Sequence, residues 1–289
     1  MPLRPTLIDL HTHSWCSDGT EPPAEVVRQA ALAGVGTVAL TDHDVTSGWT
    51  EADRAGQEHG VVVVPGIEIS CSWRGVSVHL LAYLPDPTHP GLADELERTR
   101  TSRDTRIQAM VSRLADAGYP VSYEEVLATG PGDASLGRPH IADVLVANGR
   151  YASRGEVFAD VLASSSPYYV SHHAPAPTEA VGLVVAAGGA AVIAHPFASA
   201  RGRVVPDEVI EDMVDAGMVG LEVDHRDHDR VDRERAAGLA SRLGLVRTGS
   251  SYYHGAGKPN LLGEHTTAPE QFERLLAAAP GQRLLGASP

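Results

Sequence analysis

The chain has 289 residues, 23 Lys or Arg against 37 Asp or Glu, and a formal charge of −14. Its length suits one large α/β domain or two modest ones. So acidic a chain argues against stable binding of duplex DNA, which demands a basic face, yet it admits an anionic substrate, because bound metal can reverse the sign of a local site.

Cys16 and Cys71 are the only two cysteines, so no disulfide framework is available. The start "MPLRPTLIDLHTH" lacks the apolar stretch of a secretion signal. No run of about 18 apolar residues suggests a membrane span. A cytoplasmic protein without membrane partners is expected.

In chain order, apolar or β-branched runs predict strands at 6–11, 37–42, 61–70, 77–84, 190–196, 219–224 and 245–251. The first is followed by "PAEVVRQAALAG" (23–34), a helix with Pro23 suited to its first position and Gly34 to its end. Helical patterns at 176–189 and 206–218 flank the fifth strand. Residues 91–175 break the alternation, with helical patterns at 91–118, 122–130, 138–149 and 153–164 and no convincing strand. In the first of these, Leu92, Leu96, Arg103, Ile107, Met110, Val111 and Leu114 fall near helical spacing.

Strands alternating with helices predict a mainly parallel sheet, and a run such as "VVVV" suits a strand buried on both faces. Polar residues collect at the C-terminal ends of these strands, as a (β/α) barrel places them. Seven strands predict an α/β fold of the distorted (β/α)7 TIM-like kind, built from 1–90 and 176–289. Residues 91–175 then form an inserted helical cap over its active end.

The chemistry starts in "DLHTHSWCSDG" (9–19). His11 and His13, at i and i+2 of a strand, share a face and can bind one cation together. Asp18 follows in a glycine-containing loop and can reach inward. "TDHD" adds His43, and "GIEIS" adds Glu68, whose carboxylate could bridge two metals. His79, His195 and His254 complete a set of six histidines and two carboxylates that fits a polynuclear Zn, Mn or Fe site. Asp42, Asp44, Glu222 and Asp224 are candidates for orienting those histidines. His59, His89, His228 and His265 are read as structural or exposed, while His172 and His173 stay open.

For substrate, Arg138 and His140 of "GRPH" stand at an expected helix N-terminus, a natural anion site. Lys258, the single lysine, sits in glycine-flanked "GAGKPN" and could place a point charge on phosphate. Arg98, Arg100, Arg103, Arg106 and Arg113 face one acid, Asp104, over 98–113. They form either a solvated helix face or an entrance for a second phosphate.

"DLHTHSWCSDG", "TDHD", "PGIEIS", "VHLLAY", "AHP" and "GSSYYHGAGKPN" together resemble the polymerase-and-histidinol-phosphatase (PHP) superfamily of metal-dependent phosphoesterases. "GRPHIADVL" and "GKPNLLGEHTT" are similar to the branch with nucleoside 3′,5′-bisphosphate phosphatases and short-RNA 5′→3′ exonucleases. The resemblance implies a distorted (β/α)7 barrel and two or three divalent ions. By the same resemblance His11, His13 and Glu68 would hold one ion, and Glu68, His79 and His195 a second. Asp18, His43 and His254 would surround a third. It implies hydrolysis of a small phosphorylated substrate, a nucleotide or short oligonucleotide, with His11, His13, Glu68, His195 and His254 in catalysis. One position departs: the family carries Asp two residues before its final His, and here that residue is Tyr252. A phenol, with an unperturbed pKa near ~10, is a poor ligand for Zn or Mn. Reduced activity, a purely binding role and a histidinol-phosphate-type substrate are therefore the alternatives.

Overall fold

A computed structural model describes residues 7–287 of the chain. Thr6, the first residue of the expected strand 6–11, and the outermost ends of the segments 1–90 and 176–289 lie outside the described residues. All seven expected strands form, with ends within three residues of those expected. They are β1 (Leu7–Thr12), β2 (Val35–Leu40), β3 (Val62–Trp73), β4 (Val76–Tyr83), β5 (Ala190–Ile193), β6 (Gly220–Asp224) and β7 (Val246–Gly249). A two-residue strand, β8 (Leu285–Gly286), pairs antiparallel with the start of β3 and was not expected.

Helices α1 (Pro23–Leu32) and α2 (Trp49–His59) connect β1 to β2 and β2 to β3. Gly34, just past α1, takes φ +77, a conformation that lets the chain turn back into β2. Between β4 and β5 lie α3 (Pro90–Asp116), α4 (Tyr123–Leu127), α5 (Arg138–Ala147), α6 (Arg154–Asp160) and α7 (Pro177–Ala186). Then come α8 (Asp207–Asp215), α9 (Arg230–Arg242) and, after β7, α10 (Pro269–Ala277).

The sheet runs in chain order from β1 to β7. β1–β3 and β5–β7 are parallel, whereas β4 is antiparallel to both of its neighbours. That reversal explains why His79 stands near the start of its strand while the other polar residues stand at strand ends. The start of β4 lies beside the end of β3, and Ser70 is opposite His79, so both side chains share a face.

Leu10, Ala39, Val64, Leu81, Val192 and Val246, each from a different strand, meet in one apolar cluster. Val27, Ala30, Ala52 and Ala55 of α1 and α2 cover the other side of β2 and β3. Val181, Ile210 and Leu239 of α7, α8 and α9 belong to a third cluster with residues of β3–β6. Helices α3–α6 build a core of their own around Ile107, Met110, Leu114, Val126, Ile141, Leu145 and Val157. Helix α3 links two of these cores. Its 27 residues, about 40 Å long, carry Leu92 and Leu96 on the strand side and Ile107 to Leu114 on the helical side. Among the described residues no helix is long and apolar enough to cross a membrane.

Candidate metal centre

Strand alternation explains the first half of the site. Asp9, His11 and His13 all turn inward from β1 and its continuation and are fully buried. The Asp18 loop then folds back so tightly that a Cβ on Gly19 would stand 2.5 Å from the His13 carbonyl oxygen. Glycine at 19 is thus what allows Asp18 to sit under His13.

Glu68 is the hub. Its Oε2 lies 3.2 Å from His11 Nε2, 3.0 Å from His13 Nε2 and 3.4 Å from His43 Nε2. Its Oε1 lies 2.7 Å from His79 Nδ1 and 3.1 Å from His195 Nε2. Asp18 Oδ1 is 3.5 Å from His13 Nδ1 and 3.3 Å from His254 Nε2. All eight residues expected to ligate metal therefore come together. Donor atoms of His11, His13 and Glu68, of His13, Asp18 and His43, and of His43, Glu68 and His79 each lie within 4.8 Å of one another.

The far nitrogens of these rings are anchored. His11 Nδ1 meets Glu222 at 3.3 Å, His13 Nδ1 meets Ser17 Oγ at 3.2 Å and His254 Nδ1 meets the Tyr252 carbonyl at 2.8 Å. His43 Nδ1 faces the Glu68 carbonyl at 3.4 Å. With Nδ1 held, the Nε2 atoms converge, and those of His11 and His13 stand 3.1 Å apart. Buried Glu68 Oε2 and Asp18 Oδ1 have no hydrogen-bond partner of proper geometry. Converging imidazole nitrogens around buried, unsatisfied carboxylate oxygens are a donor set that fits divalent metal.

The electrostatics agree. Burial alone would raise Glu68, but His43, His11 and His79 hold it well below the usual carboxylate range. Burial is likewise outweighed at Asp18 by His254, His43 and His13. Burial drives His43 well below its ordinary value, against Glu68 and Asp18. For His254, burial and then Lys258 act in the same direction. Both rings are thus neutral at pH 7, as a metal ligand must be. At His11 burial is outweighed by Glu68 and Glu222, which push it up to about 9. A divalent cation can take over the charge that proton balances, so binding would release it.

The orienting acids divide. Glu222 touches His11 directly and also accepts from the His195 amide at 2.8 Å. Asp42 acts one step removed, accepting from Ser17 Oγ at 2.6 Å, which in turn meets His13. Asp44 accepts from the Ser70 amide and hydroxyl, 2.8 Å each, and from Arg103 Nη1 at 3.0 Å. Asp224 is exposed, because a register shift after Glu222 breaks the strand alternation. His228 is structural, bonded to the Val223 carbonyl and the Phe197 amide.

Tyr252 turns inward. Its ring is 2% exposed and lies 4.4 Å from His254, 4.7 Å from His11 and 5.5 Å from both His13 and His195. Its φ of +57 is uncommon for a residue with a bulky side chain. Lys258 Nζ sits 3.6 Å above that ring and 2.9 Å from His254 Nε2. Of the other expected substrate contacts, His140 spends both ring nitrogens on backbone: Nδ1 accepts from the Gly137 amide, and Nε2 donates to the Ser17 carbonyl at 2.7 Å. Arg138 Nη1 donates to the Leu162 carbonyl at 2.8 Å.

Two residues near the site, His225 and Arg154, were not singled out from sequence, and a third, Arg103, was read only as part of the basic stripe over 98–113. His225 packs its ring at a tilt against His195 and Tyr252, 5.1 and 4.9 Å away, and its place just beyond β6 was the available signal. Arg154 reaches the Asp18 carbonyl at 3.4 Å, and no local pattern marks it. Arg103 occupies an apolar position of the α3 stripe, which is the mark of a buried, paired charge.

A fold and site of this kind define a metal-dependent phosphoesterase, a hydrolase, and the comparisons with known proteins agree. The PHP domain family model matches residues 9–121. A 3′,5′-nucleoside bisphosphate phosphatase from Chromobacterium violaceum is 37% identical over 87% of this chain and 88% of its own length. A phosphoribosyl 1,2-cyclic phosphate 1,2-diphosphodiesterase from Eggerthella lenta is 35% identical, covering 86% and 94%. A 5′-3′ exoribonuclease from Haemophilus influenzae is 33% identical, covering 85% and 89%. A solved structure from Bifidobacterium adolescentis, assigned as a metal-dependent phosphoesterase, superposes with a TM-score of 0.92 at 39% identity, covering 96% and 97%. The chain belongs to the PHP family.

Proposed function

We propose that the chain removes phosphate from small nucleotides of the nucleoside 3′,5′-bisphosphate type, or from the 5′ ends of short oligonucleotides, at the centre around Glu68 and Asp18. The observation that carries this reading is the convergence of anchored imidazoles on two buried carboxylates. Two or three ions of Mn, Zn or Fe would be held there. His11, His13 and Glu68 form one set, Glu68 and His79 with His43 or His195 a second, and Asp18 with His13, His43 and His254 a third. Metal at this centre supplies charge neutralisation on the phosphoryl oxygens and a water acidic enough to attack near neutral pH. The chain supplies the rest: Glu222 and Ser17 fix ring orientation, and Arg138 and Lys258 offer cationic contacts to the substrate.

The sheet is read as a closed, distorted (β/α)7 barrel. Support comes from the isolated bridge between Thr12 and Tyr253 and from the apolar cluster that six strands share. The insertion 91–175 is read as a cap on that barrel. Arg103, His140 and Arg154 reach from it to Asp44 and the Ser17–Asp18 backbone. The two buried free thiols, Cys16 and Cys71, support a cytoplasmic setting.

A second reading, a weakly active or purely binding protein, is favoured by Tyr252, whose ring fills space between the ligand histidines. Phosphate release from adenosine 3′,5′-bisphosphate, a 5′-phosphorylated dinucleotide and histidinol phosphate, each with Mn²⁺, separates the readings. Turnover of a nucleotide substrate is expected. Turnover of histidinol phosphate alone would overturn the substrate class, and metal binding without any turnover would leave the second reading.

A further inference from the structure

The loop after β7 is pinned on both sides of His254. The His254 carbonyl accepts from the Thr20 amide at 3.1 Å, the Ala256 amide donates to Thr20 Oγ1 at 2.8 Å, and Asn260 Nδ2 donates to the Ser251 carbonyl at 2.6 Å. Gly255 is what permits this course, since it takes φ +62 and a Cβ there would stand 2.4 Å from Thr20 Oγ1. The pinned loop brings Lys258, four residues past His254, back over the metal centre.

Two groups receive its ammonium there: the face of the buried Tyr252 ring, 3.6 Å away, and His254 Nε2, 2.9 Å away. The tautomer of His254 follows from its other nitrogen. Nδ1 stands 2.8 Å from the Tyr252 carbonyl, which can only accept, so the hydrogen is on Nδ1 and Nε2 carries a lone pair. Asp18 Oδ1, 3.3 Å from that Nε2, is an acceptor as well. Two acceptors face to face call for a cation, and Lys258 brings one to the same nitrogen. A metal ion bound by His254 needs that lone pair too, at about 2.0–2.1 Å. One lone pair serves one cation. Lys258 is the single lysine of the chain, so no second lysine contests the positions around Glu68. Tyr252 is also the position at which this chain departs from the family pattern. Where an aspartate would offer oxygen to a metal, the phenol ring offers its face to an ammonium.

We propose that Lys258, seated on Tyr252, is an internal cation of this centre: its ammonium takes the place of the ion expected at Asp18 and His254, and the chain carries two metal ions around Glu68, not three. The proposal rests on the reading of this centre as a metal site and fixes its stoichiometry. A tethered ammonium offers one positive charge and N–H donors to a phosphoryl oxygen. It does not acidify a water as a metal does, so that chemistry falls to the positions around Glu68.

The test is equilibrium dialysis of EDTA-stripped protein against saturating Mn²⁺, with ions per chain counted by elemental analysis, for wild type, Lys258→Met and Tyr252→Phe. Wild type should hold two ions and Lys258→Met three. Tyr252→Phe keeps the ring face and should stay at two. Three ions in wild type, or two in Lys258→Met, overturn the proposal while the metal centre stands. Fewer ions in Tyr252→Phe than in wild type make the phenol oxygen a metal ligand and overturn it as well. No bound metal in any of the three removes the metal centre and the proposal with it. A second measurement uses wild type alone. With ¹³C-labelled lysine the chain gives one Cε signal, whose protons should be shifted upfield by the Tyr252 ring and stay so when Zn²⁺ saturates the protein. Movement to the position of an exposed lysine on adding Zn²⁺ overturns the proposal.

Discussion

Two regions of this chain bury charge by opposite means. At the strand ends, six histidines surround two buried carboxylates, and imidazole nitrogens face carboxylate oxygens that lack a hydrogen-bond partner. On α3, a few residues of helix hold two buried guanidiniums, and among the described residues Arg103 pairs with a carboxylate while Arg106 meets His172. The first arrangement collects lone pairs and is completed by cations. The second collects N–H donors. The Arg103–Asp44 pair is the joint between them, because Asp44 is next to His43, and Ser70, bonded to both members of the pair, is opposite His79.

That joint should give the largest effect on stability. Arg103→Ala leaves Asp44 buried with Ser70 as its one remaining partner among the described residues, and a loss of about 3 kcal/mol is expected, read from urea unfolding. A loss below about 1 kcal/mol would mean that the pair is screened like a surface one and that the two regions are not coupled through it.

Tyr252→Asp sharpens the metal side. Aspartate tolerates positive φ better than most residues and replaces an apolar ring among His11, His13 and His254 with a hard oxygen ligand. Metal retained through gel filtration, read by elemental analysis, should increase, with affinity rising about tenfold, or roughly 1.4 kcal/mol. Unchanged metal content would show that the ring does not compete with a ligand position.

The smallest effect tests the arginine side. His172 is held down to about 3 from an ordinary 6.5, so its neutral form belongs to the folded state. Its contribution is complete above pH 6.5 and is lost as pH falls toward 3. His172→Gln has no ring to protonate, so its Tm should fall less than that of wild type between pH 6.5 and about 4. Parallel curves would remove His172 from the buried cluster.

Much of the metal side was legible because it is written locally. The i, i+2 pair His11 and His13, the glycine beside Asp18 and the polar residues at strand ends follow from strand geometry alone. The seven strands were equally legible from their apolar runs. The reversal of β4 was not, since nothing within "SVHLLAYL" records which way its neighbours run; only the position of His79 hinted at it. The arginine side was legible only as a basic stripe on α3. Which arginines are buried depends on partners far away in sequence: Asp44 for Arg103, and His172, 66 residues on, for Arg106. Glu97 pairs Arg100 at the surface, and exposed Arg98 reaches back to buried Glu95, which no pattern within 98–113 could separate from the buried Arg103 pair. His140 was expected to contact substrate, and its sequence neighbourhood does not record that both ring nitrogens are spent on backbone.

The central claim is that Glu68 holds the metal that hydrolysis requires. The most direct measurement is phosphate release from adenosine 3′,5′-bisphosphate by wild type and Glu68→Gln, each stripped with EDTA and then supplied with Mn²⁺, with bound metal counted in the same samples. Wild type should be inactive when stripped and recover with Mn²⁺, while Glu68→Gln should bind less metal and stay at least about 1,000-fold slower, or roughly 4 kcal/mol in the barrier. Release by the stripped enzyme, or equal metal content and rates in the two proteins, would contradict it.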